Sequence, residues 1–398
     1  MKKLFFIFLT IVFCANIFAQ REKYSSKERD EYYKNYESNY VPFKPLDTEF
    51  IRGFKSEYFE IYEDTLNNNP YFANKYVTPY ADSVFSIMWS EEYYMQKIEM
   101  EFEKIGKINK VQVLKYEKKD SIEAFIYYSS EYENIFFGET GIWIAYSENN
   151  GNDWNYYYTG IVQAQPVFVK YYSKRPLINE KGKLEIDACL LKQHSPFSHP
   201  VGNPNYECVK DNIYIVFNIK VIAKDSDNDG LTDIVEDKLY TNKYNKDTDG
   251  DGIPDNLDTN PRVNYPRTEK SKIYEAILND DIEWIDKEGM GKLLFKEHTT
   301  YKVTDTTETV LIVTDNEDLM GINPKKYRVI FMTTDEYKKK TKVYETELNV
   351  MDFSPLFKVD KMKDTYIMTY HFNTWGNEYL IRKTKKGWII QMLSSWIS

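Results

Sequence analysis

Histidine and cysteine are scarce in this chain, with four of the first and three of the second. Several familiar catalytic signatures are missing as well. There is no His-Glu-x-x-His, no Gly-x-Ser-x-Gly and no Gly-x-x-x-x-Gly-Lys-Ser/Thr, and Gly289-Met290-Gly291-Lys292 is too short for the last of these. The signals of a zinc metalloprotease, a nucleophile elbow and a phosphate-binding loop are therefore absent. His194 and His199 lie in a proline-bearing stretch, His-Ser-Pro-Phe-Ser-His-Pro, and would need a third ligand on a rigid element to hold a metal. His298 and His371 are isolated. A basic excess is also lacking, with 52 Lys and Arg against 62 Asp and Glu. A phosphate backbone needs a basic face, so no nucleic-acid partner is expected.

Long apolar runs are confined to the start. Met1-Lys2-Lys3 is a short basic region, Leu4 to Phe18 is almost wholly apolar, and Ala19 precedes a plausible cleavage at Gln20. Charged residues follow at once. This order is that of a secretory signal peptide, with an uncleaved anchor as the alternative. Cys14 raises a lipoprotein version, against which bulky Phe13 stands where a small residue is wanted. The expectation is an exported chain, secreted or at the cell surface, with no transmembrane segment after cleavage. Cys189 and Cys208 then remain, an even pair in an oxidising compartment and a candidate disulfide. Two buried free thiols are the alternative, and the spacing excludes a C-x-x-C redox pair.

With 42% hydrophobic and 29% charged residues, the chain has the apolar content for ordinary cores. The expected fold is α+β, multidomain and β-rich. A signal peptide at 1–19 precedes an irregular and helical segment at 20–107, which wraps onto the domain that follows. Apolar steps of three and four residues place a helix over 82–105. A β-rich domain at 108–222 contains the strand-like runs 111–114, 124–128, 142–146 and 214–219. An acidic stretch at 223–262 follows. Residues 263–398 read as α+β, with helices over 271–278 and 283–297. Strands are expected at 309–313, 327–331, 366–370, 378–381 and 388–390, with turns at Trp375-Gly376-Asn377 and Lys386-Gly387.

Two segments of the acidic stretch obey one rule. Asp225, Asp227, Asp229, Asp233 and Glu236 occupy positions 1, 3, 5, 9 and 12 of the first loop. Asp247, Asp249, Asp251, Asp255 and Asp258 occupy the same positions of the second, and Gly230 and Gly252 fall at position 6. Calcium takes six to eight oxygen ligands, and alternate residues of a tightly curved loop point inward to share one ion. Glycine tolerates the sharp turn that follows. Leu231 and Ile253 at position 7 each offer a backbone carbonyl, leaving the side chain to face a small core. Position 9 binds directly or through water, and position 12 closes the shell. Asp258 is shorter than Glu236 and should contribute fewer oxygens. Two calcium ions are expected, and without them the crowded carboxylates should leave the module largely unfolded. A solvated acidic linker is the plainer alternative.

Asp-Ser-Asp-Asn-Asp-Gly-Leu-Thr-Asp-Ile-Val-Glu at 225–236 and Asp-Thr-Asp-Gly-Asp-Gly-Ile-Pro-Asp at 247–255 carry a family resemblance. Residues 225–261 resemble the thrombospondin type 3 repeat as found in bacterial exported proteins. Thr241-Asn242-Lys243 departs from the family's usual Thr-Asp-Pro. The resemblance implies a compact, metal-filled module common in surface and adhesion proteins. A second, fainter one lies at Ser147-Glu148-Asn149-Asn150-Gly151-Asn152-Asp153-Trp154, which is similar to the Asp-box turn of sialidase-like propellers, with Asn149 and Asp153 in place of its Asp and Thr. A single copy implies a stable hairpin rather than a propeller. The functional expectation is an exported calcium-binding protein of binding or structural type, adhesion-like, with an extracellular protein or glycan ligand. The alternative is a secreted enzyme acting on glycans or the cell envelope from a flanking domain.

Overall fold

The computed structural model describes residues 24–35, 45–64, 76–77, 111–129, 141–162, 166–170, 173, 175–194, 206–286, 289–296, 301–304, 307–340, 349–372 and 375–397. The expected signal peptide, the helix over 82–105, His199 and His298 lie outside these residues. The described chain is β-rich with few helices, and its strands form three sheets.

The first strands to be named belong to two antiparallel sheets. They are β1 (Phe59–Glu63), β2 (Tyr76–Val77), β3 (Val111–Lys119), β4 (Ile122–Ser129), β5 (Gly141–Ser147), β6 (Asn155–Tyr158), β7 (Val167–Val169), β8 (Leu184–Gln193) and β9 (Tyr206–Phe217). β3 to β6 form a four-stranded meander. The other sheet runs β1-β9-β8-β7, with β2 also on β9. β5 is buried at every position, which requires cover on both of its faces.

The third sheet is the largest. Its strands are β10 (Ile282–Trp284), β11 (Met290–Leu293), β12 (Glu308–Val313), β13 (Tyr327–Met332), β14 (Asn349–Phe353), β15 (Phe357–Lys358), β16 (Thr365–Phe372), β17 (Trp375–Thr384) and β18 (Gly387–Ile397). The order is β10-β11-β18-β17-β16-β14-β12-β13, with β15 on β16. β12 lies parallel to both β13 and β14, and the other pairings are antiparallel.

Helices are short: α1 (Lys27–Asn35), α2 (Thr48–Arg52), α3 (Ile219–Ile222), α4 (Asp233–Leu239), α5 (Glu269–Leu278), α6 (Glu317–Met320) and α7 (Thr334–Lys340). α5 opens with a reciprocal cap between Thr268 and Ser271, which satisfies two backbone donors at its start.

Two cores divide the parallel strands by the period of two. Leu311, Val313, Ile330 and Met332 join the core of the two N-terminal sheets, along with Leu231, Ile234, Val235 and Leu239 of the acidic stretch. Val310, Ile312, Val329 and Phe331 face the other way, onto α5. The acidic stretch is thus no free linker. Its apolar side chains lie where the N-terminal sheets meet one face of the C-terminal sheet.

Several expectations are corrected. Where a helix over 283–297 is expected, Ile282–Trp284 and Met290–Leu293 pair as antiparallel strands β10 and β11. Gly291 of β11 packs against Ile282 and Trp284, so close that a Cβ would lie 2.7 Å from Ile282 and 3.1 Å from the Trp284 ring. Trp375-Gly376-Asn377 are part of β17 and not a turn, since Phe372 pairs directly with Trp375. Gly376 is there because the Trp396 ring lies across it, 2.5 Å from where a Cβ would sit. The N-terminal segment also divides. α2 and β1 join the neighbouring sheet, whereas α1 docks on the distant C-terminal sheet, with the Lys358 N–H donating to Glu28 and the Tyr32 ring against Phe357.

Cys189 on β8 and Cys208 on β9 are free thiols in this structure and not a disulfide. The two strands place them side by side, each thiol a hydrogen-bond partner of the other. Burial pushes the Cys189 thiol up, whereas the hydrogen bond from Cys189 draws Cys208 down.

Candidate metal centre

The two acidic loops are wired alike. At position 1, Asp225 accepts from the N–H of Asn228 (2.7 Å) and of Gly230 (3.0 Å). Asp247 accepts from Gly250 (2.9 Å) and Gly252 (2.8 Å). At position 3, one oxygen of Asp227 accepts from the Asp229 N–H, and one of Asp249 from the Asp251 N–H. At position 5, Asp229 accepts from the Leu231 N–H and Asp251 from the Ile253 N–H, both at 2.7 Å. The backbone is left-handed at position 4, with φ of 60° at Asn228 and 76° at Gly250, as well as at the position-6 glycines. Asparagine and glycine are the residues that accept this conformation at least cost.

This wiring engages both oxygens of Asp225 and Asp247 but only one of Asp227, Asp249 and Asp251 with the loop backbone. Ligand atoms of Asp225, Asp227 and Asp229 lie within 4.8 Å of one another, and so do those of Asp247, Asp249 and Asp251. Position 12 approaches from α4 in the first loop and from the turn after Pro254 in the second. Glu236 is fully buried and Asp258 is 3% exposed. Asp227 Oδ2, Glu236 Oε2 and Asp258 Oδ2 are buried with no hydrogen-bond partner. A buried carboxylate oxygen left unpaired is costly, and a cation is the partner that removes the cost.

The raised carboxyl pKa values reflect the same crowding. Burial, followed by the charges of Asp227 and Asp229, pushes Glu236 up to about 8. Burial, opposed by the Asn260 N–H and reinforced by Asp251 and Asp249, pushes Asp258 up to about 7. Asp249 rises to about 6, again chiefly through burial. The donor set is all oxygen, which suits a hard cation. The residues fit the group that the spacing implies.

Position 9 does something the spacing did not reveal. Asp233 accepts from the Ser226 N–H (2.8 Å) with one oxygen and from the Ser226 hydroxyl (2.9 Å) and Lys224 Nζ (2.8 Å) with the other. Asp255 accepts from the Thr248 N–H (2.9 Å) and hydroxyl (2.6 Å) in the same way. Both therefore brace the residue at position 2; neither belongs to the triplets, and neither do Glu236 and Asp258, which are set apart from Asp233 and Asp255 by a buried oxygen without a hydrogen-bond partner. The backbone N–H of each also closes its loop, onto the carbonyls of Lys224 and Lys246. At position 7, Leu231 sits in the core, whereas Ile253 lines a cavity beside Asp251.

Parts of the site come from residues that no loop pattern marks. The Asn256 N–H donates to Asp229 Oδ2 (3.1 Å) and Lys246 Nζ to the Asn228 carbonyl (3.0 Å), so each loop holds the other. Arg328 on β13 is fully buried beneath the second loop. It donates to the carbonyls of Asn256 (2.8 Å), Asp258 (3.3 Å) and Asp255 (3.4 Å). Arg262 reaches the Tyr240 carbonyl (2.9 Å), the Phe331 carbonyl and Glu336 (3.1 Å). Strand-like contacts add to this, from the Val329 N–H to Thr259 and from the Val303 N–H to Leu257.

The Asp-box-like turn joins β5 to β6. Ser147 Oγ accepts from the Gly151 N–H (3.0 Å), Asn149 Oδ1 from the Asp153 N–H (2.9 Å), and Trp154 Nε1 donates to the Gly151 carbonyl (3.0 Å). Asn149 thus supplies the acceptor that an aspartate would. Its polar groups are consumed within the turn. His194 pairs with Glu207 (2.9 Å). Among the described residues, the clusters able to hold a metal are the two Asp triplets, and no described helix is long and apolar enough to cross a membrane. Compared with family models, curated proteins and solved structures, the chain matches none.

Proposed function

We propose that this is an exported calcium-binding protein, secreted or at the cell surface, with a binding or structural role. In this reading residues 223–262 form a thrombospondin type 3-like module for two calcium ions. Asp225, Asp227, Asp229 and Glu236 hold the first, and Asp247, Asp249, Asp251 and Asp258 hold the second. The carbonyls of Leu231 and Ile253 are available to each shell. Asp233 and Asp255 orient the loops rather than bind. The observation that carries the reading is the set of buried carboxylate oxygens, on Asp227, Glu236 and Asp258, that no protein donor satisfies. Calcium is favoured over magnesium because a flexible, carboxylate-rich loop does not enforce the strict octahedron that magnesium wants.

The role of the metal follows from where the module lies. Its helix contributes to the core shared with the N-terminal sheets, and its second loop rests on Arg328 of the C-terminal sheet. Neutralising the carboxylates would lock these contacts and set how the two halves of the chain meet. Isothermal titration of the mature chain with calcium should show two ions bound, and Asp249→Asn together with Asp251→Asn should remove one of them. A mature chain that takes up no calcium at millimolar concentration would end this reading.

A further inference from the structure

The largest sheet treats its two edges differently. β13 is covered, because its Val329 N–H donates to the Thr259 carbonyl (2.8 Å) and Arg328 reaches the carbonyls of Asp255, Asn256 and Asp258. β10, at the other end of the strand order, pairs with β11 alone. The Ile285 N–H donates to Met290 (2.8 Å) and the Leu294 N–H to Asp281 (2.9 Å). In an antiparallel ladder bonded pairs alternate with unbonded ones, so Ile282 and Trp284 turn their N–H and C=O groups away from β11. Among the described residues nothing pairs with that outward row.

An open edge is ordinarily protected by brevity or by charge. β10 has both, being three residues long with Glu283 exposed at its middle. Two features are not protective. Trp284 is 42% exposed and the next residue, Ile285, is 63% exposed. Successive side chains of a strand point to opposite faces, so apolar surface brackets the free backbone on both sides. Trp284 is also held in place. It stands opposite Gly291, and a Cβ on that glycine would lie 3.1 Å from the ring. A tryptophan fixed in this way loses little entropy on binding, and tryptophan is enriched among the anchors of protein interfaces.

Charge selects the partner. Asp280, Asp281, Glu283 and Asp286 fall in a stretch, 280–286, that contains no Lys or Arg. Lys326 and Lys296 lie beside the first two, at 3.4 and 3.8 Å. Glu283 and Asp286 are exposed on either side of Trp284 and Ile285, and Lys292 stands opposite Glu283 on the side away from the open edge. Two copies of this edge laid together would set their carboxylates against one another, which disfavours self-pairing. A basic strand is the complementary one.

We propose that the free edge of β10 takes up an extended segment of a partner protein, alternating basic and apolar residues, as an added strand. Its backbone pairs with Ile282 and Trp284, an apolar side chain covers the Trp284 ring, and a lysine or arginine meets Glu283. The inference needs no metal, since β10 lies at the opposite edge of the sheet from the acidic stretch.

The probe is a fluorescein-labelled peptide of three Val-Lys repeats, titrated with the mature chain in calcium and followed by fluorescence anisotropy. A dissociation constant of about 1 mM or tighter is expected. The matching Val-Glu peptide should bind about tenfold more weakly or worse, and Glu283→Lys should reverse that preference. Trp284→Ala should weaken binding by about tenfold. N-methylation of alternate peptide amides should abolish binding in one of the two possible sets, because only one set of N–H groups faces the edge. No uptake at about 1 mM, uptake that survives methylation of either set, or uptake unchanged by both substitutions would overturn the inference and leave the calcium reading untouched. A dimer of the free chain in sedimentation velocity that Trp284→Ala dissolves would overturn it as well, because a second copy would then be the occupant.

Discussion

Replacing Arg328 by methionine tests the claim that the second loop is held from below by the C-terminal sheet. The guanidinium is fully buried and meets three backbone carbonyls of residues 255–258. The bond to Asn256 at 2.8 Å is short enough for full strength, and those at 3.3 and 3.4 Å are weaker. A hydrogen bond from a charged donor contributes about 1.5–3 kcal/mol, and each carbonyl left unpaired adds a desolvation cost. Methionine refills the aliphatic volume, so packing loss is small. The expected net destabilisation is about 3 kcal/mol, read from urea unfolding followed by tryptophan fluorescence in saturating calcium. Titration calorimetry should show weakened uptake at one of two sites, because Asp258 sits on the turn that Arg328 holds. Arg328→Lys should fall between, since an ammonium keeps the charge but lacks the planar fork that reaches several carbonyls. A methionine variant within about 1 kcal/mol of the parent, with calcium uptake unchanged, would show that the reasoning about this arginine is wrong.

Three further outcomes follow from the same structure. Glu236 and Asp258 are raised to about 8 and about 7 in the folded, metal-free chain, above their ordinary values of 4.5 and 3.8. The folded state then binds more protons than the unfolded one, so stability in chelator should fall as pH rises from about 5 to about 8, and stabilisation by calcium should be largest at the upper end; a melting temperature in chelator that climbs over this range would contradict it. Thr248→Val removes the hydroxyl that donates to Asp255 at 2.6 Å and also accepts from the Asn242 N–H at 2.8 Å. It should cost about 2 kcal/mol in thermal or urea unfolding with both ions still bound, and loss of an ion instead would mean that Asp255 is a ligand. Cys189 and Cys208, in contact across β8 and β9, should join on exposure to a disulfide oxidant such as oxidised glutathione, and the bond should add about 3 kcal/mol by the chain-entropy account. Peptide mapping that still finds both thiols after such treatment would refute it.

Much of the candidate metal centre is legible in the chain because the relevant geometry is local. Alternate residues of a curved loop point inward, so carboxylates at positions 1, 3 and 5 announce themselves, as does the glycine at position 6. Strands whose apolar residues form continuous runs, such as 124–127, 142–146 and 310–313, are also legible, since their burial on both faces leaves little else for those runs to do. Where pattern reading failed, a contact distant in sequence had decided the matter. β10 and β11 stand where a helix is expected because β11 also pairs with β18, and Trp375-Gly376-Asn377 continue a strand because Trp396 lies over Gly376.

By itself the sequence determined the two rings of carboxylates, the tight turns that bend them, and the β-rich character of the chain, all consequences of side-chain type and backbone freedom over a few residues. Only the tertiary structure decided that Arg328 underpins the second loop from some seventy residues away and that a cavity opens beside Asp251. Those features depend on which surfaces meet when separate sheets bury a common core. Burial also leaves particular oxygens unpaired, and no spacing rule within one loop contains that information.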